Sequence, residues 1–193
     1  MALLLIGLVL FLGLHSVRIW GEPLRTKLIA RLGEGPWKGL YSLISVAGFA
    51  AIVWGYGEAR AQPSILYVLP AWTRYVTAAL VLVALVLISA AYVPGNRIRA
   101  AVRHPMTLSV AFWALAHLIA NGNVADVALF GGFLAWAAAL YPTALRRDVR
   151  LGKAYVVAPG YAKDAIVIAA GVGSWAVLAF WLHVKMFGVI PLP

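Results

Sequence analysis

The chain has no cysteine among its 193 residues. That excludes a disulfide framework and any thiolate ligand for zinc, an iron–sulfur cluster or haem. Charge is also scarce: only 11% of residues are charged and only six of these are acidic. A soluble domain carries about twice as many charges. There is no Gly-rich phosphate loop, no HExxH and no nucleophile elbow. The scattered serines Ser16, Ser42, Ser45, Ser89, Ser109 and Ser174 fall into no interpretable arrangement with a histidine and an acid. Internal repeats, heptads and low-complexity segments are lacking too.

Apolar sequence takes their place. Hydrophobic residues make up 64% of the chain and the mean hydropathy is +0.91. These values describe an integral membrane protein, built as a single domain over 1–193 from several spans. The net charge of +10 does not indicate nucleic acid. The basic residues sit in short loops between apolar runs, where cytoplasmic loop charge faces anionic lipid.

The expected architecture is an all-α polytopic transmembrane helical bundle of about six spans. The spans cover about 1–20, 37–56, 73–93, 105–120, 124–141 and 164–185. The first run lacks the basic n-region and small-residue cleavage site of a signal peptide, so it reads as an uncleaved span. Leu24, Leu28, Ile29 and Leu32 among basic residues suggest a short interfacial helix, ended at Gly33-Glu34-Gly35-Pro36. Trp37, Trp54 and Tyr56 read as interfacial aromatics. Gly131-Gly132 and Gly171 with Gly173 mark close-packing spots, and Pro142 is expected to end the fifth span. Thirteen of the 16 Lys and Arg lie in the 1–2, 3–4 and 5–6 connections, leaving Arg60, Arg74 and Lys185 opposite. The odd connections are therefore expected in the cytoplasm and both termini in the periplasm.

Candidate chemistry concentrates in Arg103 to Asn123. Arg103-His104-Pro105 precedes an apolar helix that contains His117 and closes on Asn121-Gly122-Asn123. Trp113, His117 and Asn121 share a face at i, i+4 and i+8. Imidazole inside a membrane helix usually serves as ligand, relay or buried hydrogen-bonding group. Neutral imidazole is the standard protein ligand for haem iron, and a bundle can hold haem b with one histidine from each of two helices. His15, inside the first span, and His117 are the intramembrane candidates, with Arg18 placed to meet a haem propionate. Each is also compatible with a buried histidine bonded to a carbonyl. His104 and His183 lie at the membrane boundaries. Asp126, at the start of the fifth span, reads as a helix cap or boundary acid, and Asp148 and Asp164 as structural acids.

Depth opposes the first pair. His15 lies roughly 7 Å and His117 roughly 18 Å from the basic side. By depth, His15 and His104 are better matched.

Arg31-Leu32-Gly33-Glu34, Trp37-Lys38-Gly39-Leu40-Tyr41-Ser42, Val53-Trp54-Gly55-Tyr56-Gly57, Arg103-His104-Pro105-Met106, Trp113-Ala114-Leu115-Ala116-His117 and Asn121-Gly122 together resemble the NnrU family, over about 1–150. His15-Ser16-Val17-Arg18 fits the same pattern. The resemblance implies a bacterial inner-membrane protein associated with nitrite and nitric oxide reduction in denitrifiers. The family is similar to the plant zeta-carotene isomerase, a haem b protein. That similarity implies His15 and His117 as axial ligands, with Arg18 and Arg103 toward the propionates. The plant enzymes carry a cysteine where this chain has Ala114, so isomerase activity is not carried over. A lipophilic molecule or NO is the small-molecule partner implied. The Arg103-His104-Pro105 segment also resembles membrane methyltransferases that use S-adenosylmethionine, although most of their following acids are missing here. A non-catalytic membrane scaffold is the third alternative.

Overall fold

The computed structural model describes residues 1–192. Helix α1 (Ala2–His15) breaks at Ser16 and continues as α2 (Val17–Trp20). The amphipathic α3 (Glu22–Leu32) follows, and then α4 (Glu34–Ala61). Next come α5 (Thr73–Tyr92), the short α6 (Arg97–Val102) and α7 (Pro105–Ala120). The chain continues through α8 (Val124–Arg150) and α9 (Ala162–Val177). A π-helical turn, Leu178–Leu182, leads into α10 (His183–Phe187). The described residues are helical throughout, apart from connections and one isolated bridge, Ile65 to Asn123.

Five helical stretches are long and apolar enough to cross a bilayer: Ala2–Trp20, Glu34–Ala61, Thr73–Tyr92, Val124–Arg150 and Ala162–Phe187. The protein is thus an all-α polytopic membrane bundle. The expected fourth span, α7, has 16 residues. That is about 24 Å of helix, short of a hydrocarbon core of about 30 Å. It is the sixth apolar helix, packed between α5 and α8.

The helices form a row of neighbours. α4 packs on α1, α1 on α8, α8 on α7, α7 on α5, and α5 on α9. Where side chains are smallest, the backbones touch. A Cβ on Gly7 would stand 2.6 Å from Ile52 N, and one on Gly55 would overlap the backbone of Leu4. Without a hydrophobic force between helices in lipid, such close van der Waals contact holds the pair. Gly171 does the same for α9, meeting Val86 at 2.6 Å. The expected Gly131-Gly132 approach is corrected. Gly131 faces open space, and Gly132 meets only the Leu8 and Leu12 side-chain tips, at 3.6 Å or more. Gly173 is open as well.

Three further expectations are corrected. Pro142 does not end a helix, because α8 runs through it to Arg150. Membrane helices tolerate an interior proline more readily than soluble ones; Thr143 Oγ1, next to it, donates to Ala139 O at 3.0 Å. Trp37 is buried rather than interfacial, 6.2 Å from Tyr41 between ring centres. Tyr56 likewise turns inward, because its phenol finds a buried acceptor.

At the end with few basic residues, the connection 62–72 lies across the α7–α8 turn. Leu66 N and Tyr67 N donate to Gly122 O, and Tyr67 OH donates to Leu118 O at 2.6 Å. At the basic end, residues 151–161 return over the α5–α6 turn. Ala158 N donates to Gly95 O at 2.9 Å, and Arg97 pairs with Asp164 at 2.8 Å.

Candidate functional site

Both intramembrane histidines are built the same way. His15 Nδ1 lies 2.7 Å from Phe11 O, and His117 Nδ1 lies 2.9 Å from Trp113 O. A carbonyl can only accept, so each Nδ1 carries the proton and each Nε2 keeps its lone pair. Neither Nε2 makes a hydrogen bond among the described residues. This is the tautomer of a metal-ligating histidine whose other nitrogen is anchored by a carbonyl.

Aromatic rings enclose both imidazoles. His15 stacks on Phe11 at 4.2 Å, with Tyr41 at 5.3 Å and Trp136 at 6.3 Å. His117 stacks on Phe130 at 4.6 Å, beside Trp113 at 5.3 Å. Phe133 joins the two groups, 5.9 Å from Phe11 and 5.5 Å from Trp113. A ladder of rings therefore runs from His15 through Phe11, Phe133 and Trp113 to His117. Its spacing comes from i, i+4 pairs on α1 and α7, which place ring and imidazole on one helical face. Asn121 shares that face, donating to His117 O at 3.0 Å.

The same ladder tests the expected haem. His15 touches Trp136 and His117 touches Phe130, six residues apart on α8, an offset of about 9 Å along the helix. Phe133 stands between them. His104, at Asp148, lies 12 residues beyond Trp136 on the same helix, about 18 Å away. This arrangement does not fit one iron gripped between any two of these histidines. It does fit one-sided ligation, because each Nε2 is free. Arg18 is exposed in α2, three residues past His15. Arg103 stands at the opposite end of α7 from His117, so the two do not meet. Among the described residues no three His, Asp or Glu side chains gather to hold a metal ion.

Past His117, Asp126 is buried at 2% exposure. It completes a capping box with Asn123 and accepts a 2.5 Å hydrogen bond from Tyr56 OH. The expected cap is present, but the carboxylate is internal rather than facing water.

The basic end holds a cluster that sequence reasoning treated as structural or passed over. Asp148 is 2% exposed. Its Oδ2 accepts from Tyr155 OH at 2.5 Å and lies 2.9 Å from His104 Nε2, with Lys153 Nζ 3.7 Å from Oδ1. The His104 nitrogen is not aligned for a hydrogen bond despite that distance, and it is buried without another partner. Burial pushes the His104 imidazole below its ordinary value, against the opposite pull of Asp148. Burial, together with the Asp148 hydrogen bond, pushes the Tyr155 phenol up. Arg103, next in the chain, has φ +61 and ψ −49. His104 N donates to Val102 O at 2.6 Å across it, a γ-turn in a conformation that costs a non-glycine residue about 1–3 kcal/mol. The sequence showed only a lone acid among arginines, Arg146-Arg147-Asp148-Val149-Arg150; the partners that hold it inside, His104 and Tyr155, come from two other segments.

No curated protein and no solved structure matches the chain significantly. A family model described as NnrU protein matches residues 3–191, extending past the expected 1–150 to take in α9 and α10. With nearly the whole chain inside that match, this protein belongs to the NnrU family.

Proposed function

We propose that this protein is a haem b protein of the bacterial inner membrane acting in nitrite and nitric oxide metabolism. The observation that carries the reading is the matched pair of imidazoles, each with Nδ1 tied to the i−4 carbonyl and Nε2 free. His15 is the leading ligand, because Arg18 stands close by on the basic side for a propionate. His117 is the second. The histidines do not converge on one iron, so His15 or His117 alone would hold a haem, which would supply gas-binding chemistry toward a diatomic such as NO. When bound, haem supplies redox and gas-binding chemistry. The protein supplies the imidazole in a fixed tautomer and an apolar, aromatic surround that keeps water away. The basic end faces the cytoplasm and both termini the periplasm. Reporter fusions active only outside the cytoplasm would be silent at either terminus if this topology is reversed.

The test is an optical spectrum of detergent-purified protein, air-oxidised and dithionite-reduced, from cells supplied with haem. His15→Ala, His104→Ala and His117→Ala are measured alongside. The expected result is a haem spectrum lost in His15→Ala, retained in His104→Ala and shifted by NO. A colourless wild-type protein overturns the reading.

The basic-end cluster favours a second reading, an S-adenosylmethionine-dependent methyltransferase. Asp148, the one acid in the region where such enzymes carry theirs, stands 2.9 Å from His104. Calorimetric titration with S-adenosylmethionine tests it. Binding that survives both Arg103→Ala and His104→Ala removes those residues from the site.

A further inference from the structure

A groove of about 390 Å³ runs along the outside of the bundle between α1 and α8. Leu8, Leu12 and Gly13 form one wall, and Gly132, Trp136 and Ala139 the other. Toward the basic end it continues past Ile19 and Trp20 into a second hollow of about 690 Å³, lined by Thr143, Arg146 and Arg150. The groove is therefore apolar along its length and cationic at its foot.

That polarity follows from the helix. Arg146 and Arg150 are i and i+4, so they share the face that meets α2. Asp148 falls on the opposite face, buried against His104 and Tyr155. The two arginines thus lack the acid nearest to them in sequence. Neither is ion-paired among the described residues. Trp20, 80% exposed, stands at the same level, where amphipathic rings settle at headgroup depth.

We propose that this groove is a binding site for an anionic phospholipid, with an acyl chain between α1 and α8 and the phosphate headgroup between Arg146 and Arg150. An apolar channel as long as several helical turns takes an acyl chain, and two uncompensated guanidinium groups at its end take a phosphate. A second copy of the chain is a poorer occupant. A symmetric contact through this face would bring four unpaired arginines together. The assignment stands independently of haem binding.

The experiment uses the full-length protein in mild detergent. Phosphatidylglycerol and phosphatidylcholine are titrated in, and bound lipid is read by native mass spectrometry. Arg146→Gln with Arg150→Gln is the test variant. Lys27→Gln with Arg31→Gln removes two exposed charges from α3, outside the groove, as control. Gly13→Leu fills the channel from a position with nothing within 4 Å of its Cβ. Phosphatidylglycerol is expected to bind the wild type and the control alike, and the arginine variant roughly tenfold more weakly or worse. Gly13→Leu is expected to weaken both lipids. Equal binding of the two lipids by the wild type overturns the proposal. So does an equal loss in the control, or a lipid-free dimer. A porphyrin absorbance lost only in the arginine variant overturns it too, while leaving the haem reading intact.

Discussion

Tyr56 on α4 donates a 2.5 Å hydrogen bond to the buried carboxylate of Asp126 on α8, seventy residues away in the chain. The bond ties α4 directly to α8, and α1 packs against both. It also completes the surroundings of an acid whose other oxygen is held by Asn123 within the α8 capping box.

Tyr56→Phe removes the phenol and leaves Asp126 Oδ1 inside the protein without its donor. The expected cost is about 1–3 kcal/mol, the penalty of an unsatisfied buried acceptor. The denaturation midpoint in SDS–detergent mixtures checks it. An unchanged midpoint means that water reaches the carboxylate in place of Tyr56.

Phe133 is the rung that joins the His15 and His117 surroundings. Phe133→Ala deletes a large ring among Phe11 and Trp113 and should cost about 3–5 kcal/mol if the space stays empty. If haem is bound one-sidedly by His15 alone, His117→Ala leaves the reduced spectrum of the wild type. Loss of the spectrum in both His15→Ala and His117→Ala would mean that the helices on either side of α8 come together around one iron. Comparing spectra of the two variants and of Phe133→Ala decides between these.

What the sequence revealed here was one-dimensional. Hydropathy placed the helices and the basic connections, and α7 begins and ends where Pro105 and Asn121 suggested. The i, i+4 spacing of Trp113 and His117 correctly put ring and imidazole on one face. Helix neighbours were not legible. Nothing local says that α8 stands between α1 and α7, so a pairing of His15 with His117 looked open. The reach of α8 beyond Pro142 depends on neighbours that a window of sequence does not contain. The inward turn of Asp148 was equally hidden, because its partners His104 and Tyr155 arrive from two other segments.

Arg103 adopts φ +61 so that the chain can turn from α6 into α7. Arg103→Gly removes the Cβ from this strained turn and should raise the denaturation midpoint, by about 1 kcal/mol. If Arg103 serves a ligand, stability rises while binding of that ligand falls. A lower midpoint would mean that the guanidinium holds the corner more strongly than the strain opposes it.

His104 ties stability to pH. Its folded value lies below the ordinary one because burial disfavours the imidazolium. The unfolded chain then binds the proton more readily, and stability rises with pH wherever that holds. The His104 contribution is fully present above the unfolded value of about 6.5 and is lost as pH falls from there through the lowered folded value. The midpoint at pH 5.5 should therefore be lower than at pH 7.5. His104→Gln, which does not titrate, should flatten that difference. A slope that persists in His104→Gln assigns it to other groups.

Two glycines on one helix separate close packing from mere tolerance. Gly55 presses on the Leu4 backbone, whereas a Cβ on Gly57, two residues on, meets nothing within 4 Å. Gly57→Ala should be stabilising by up to about 1 kcal/mol, since alanine favours the helix. Gly55→Ala gains the same propensity but forces α1 and α4 apart, because the atom in the way is backbone and has no rotamer to change. Overpacking of this kind costs about 1–3 kcal/mol. The two variants should thus move the midpoint in opposite directions. If both stabilise, α1 slides on α4 at little cost and the contact does not fix the depth of His15. If Gly55→Ala destabilises as expected, that contact fixes the depth of His15 in the bundle.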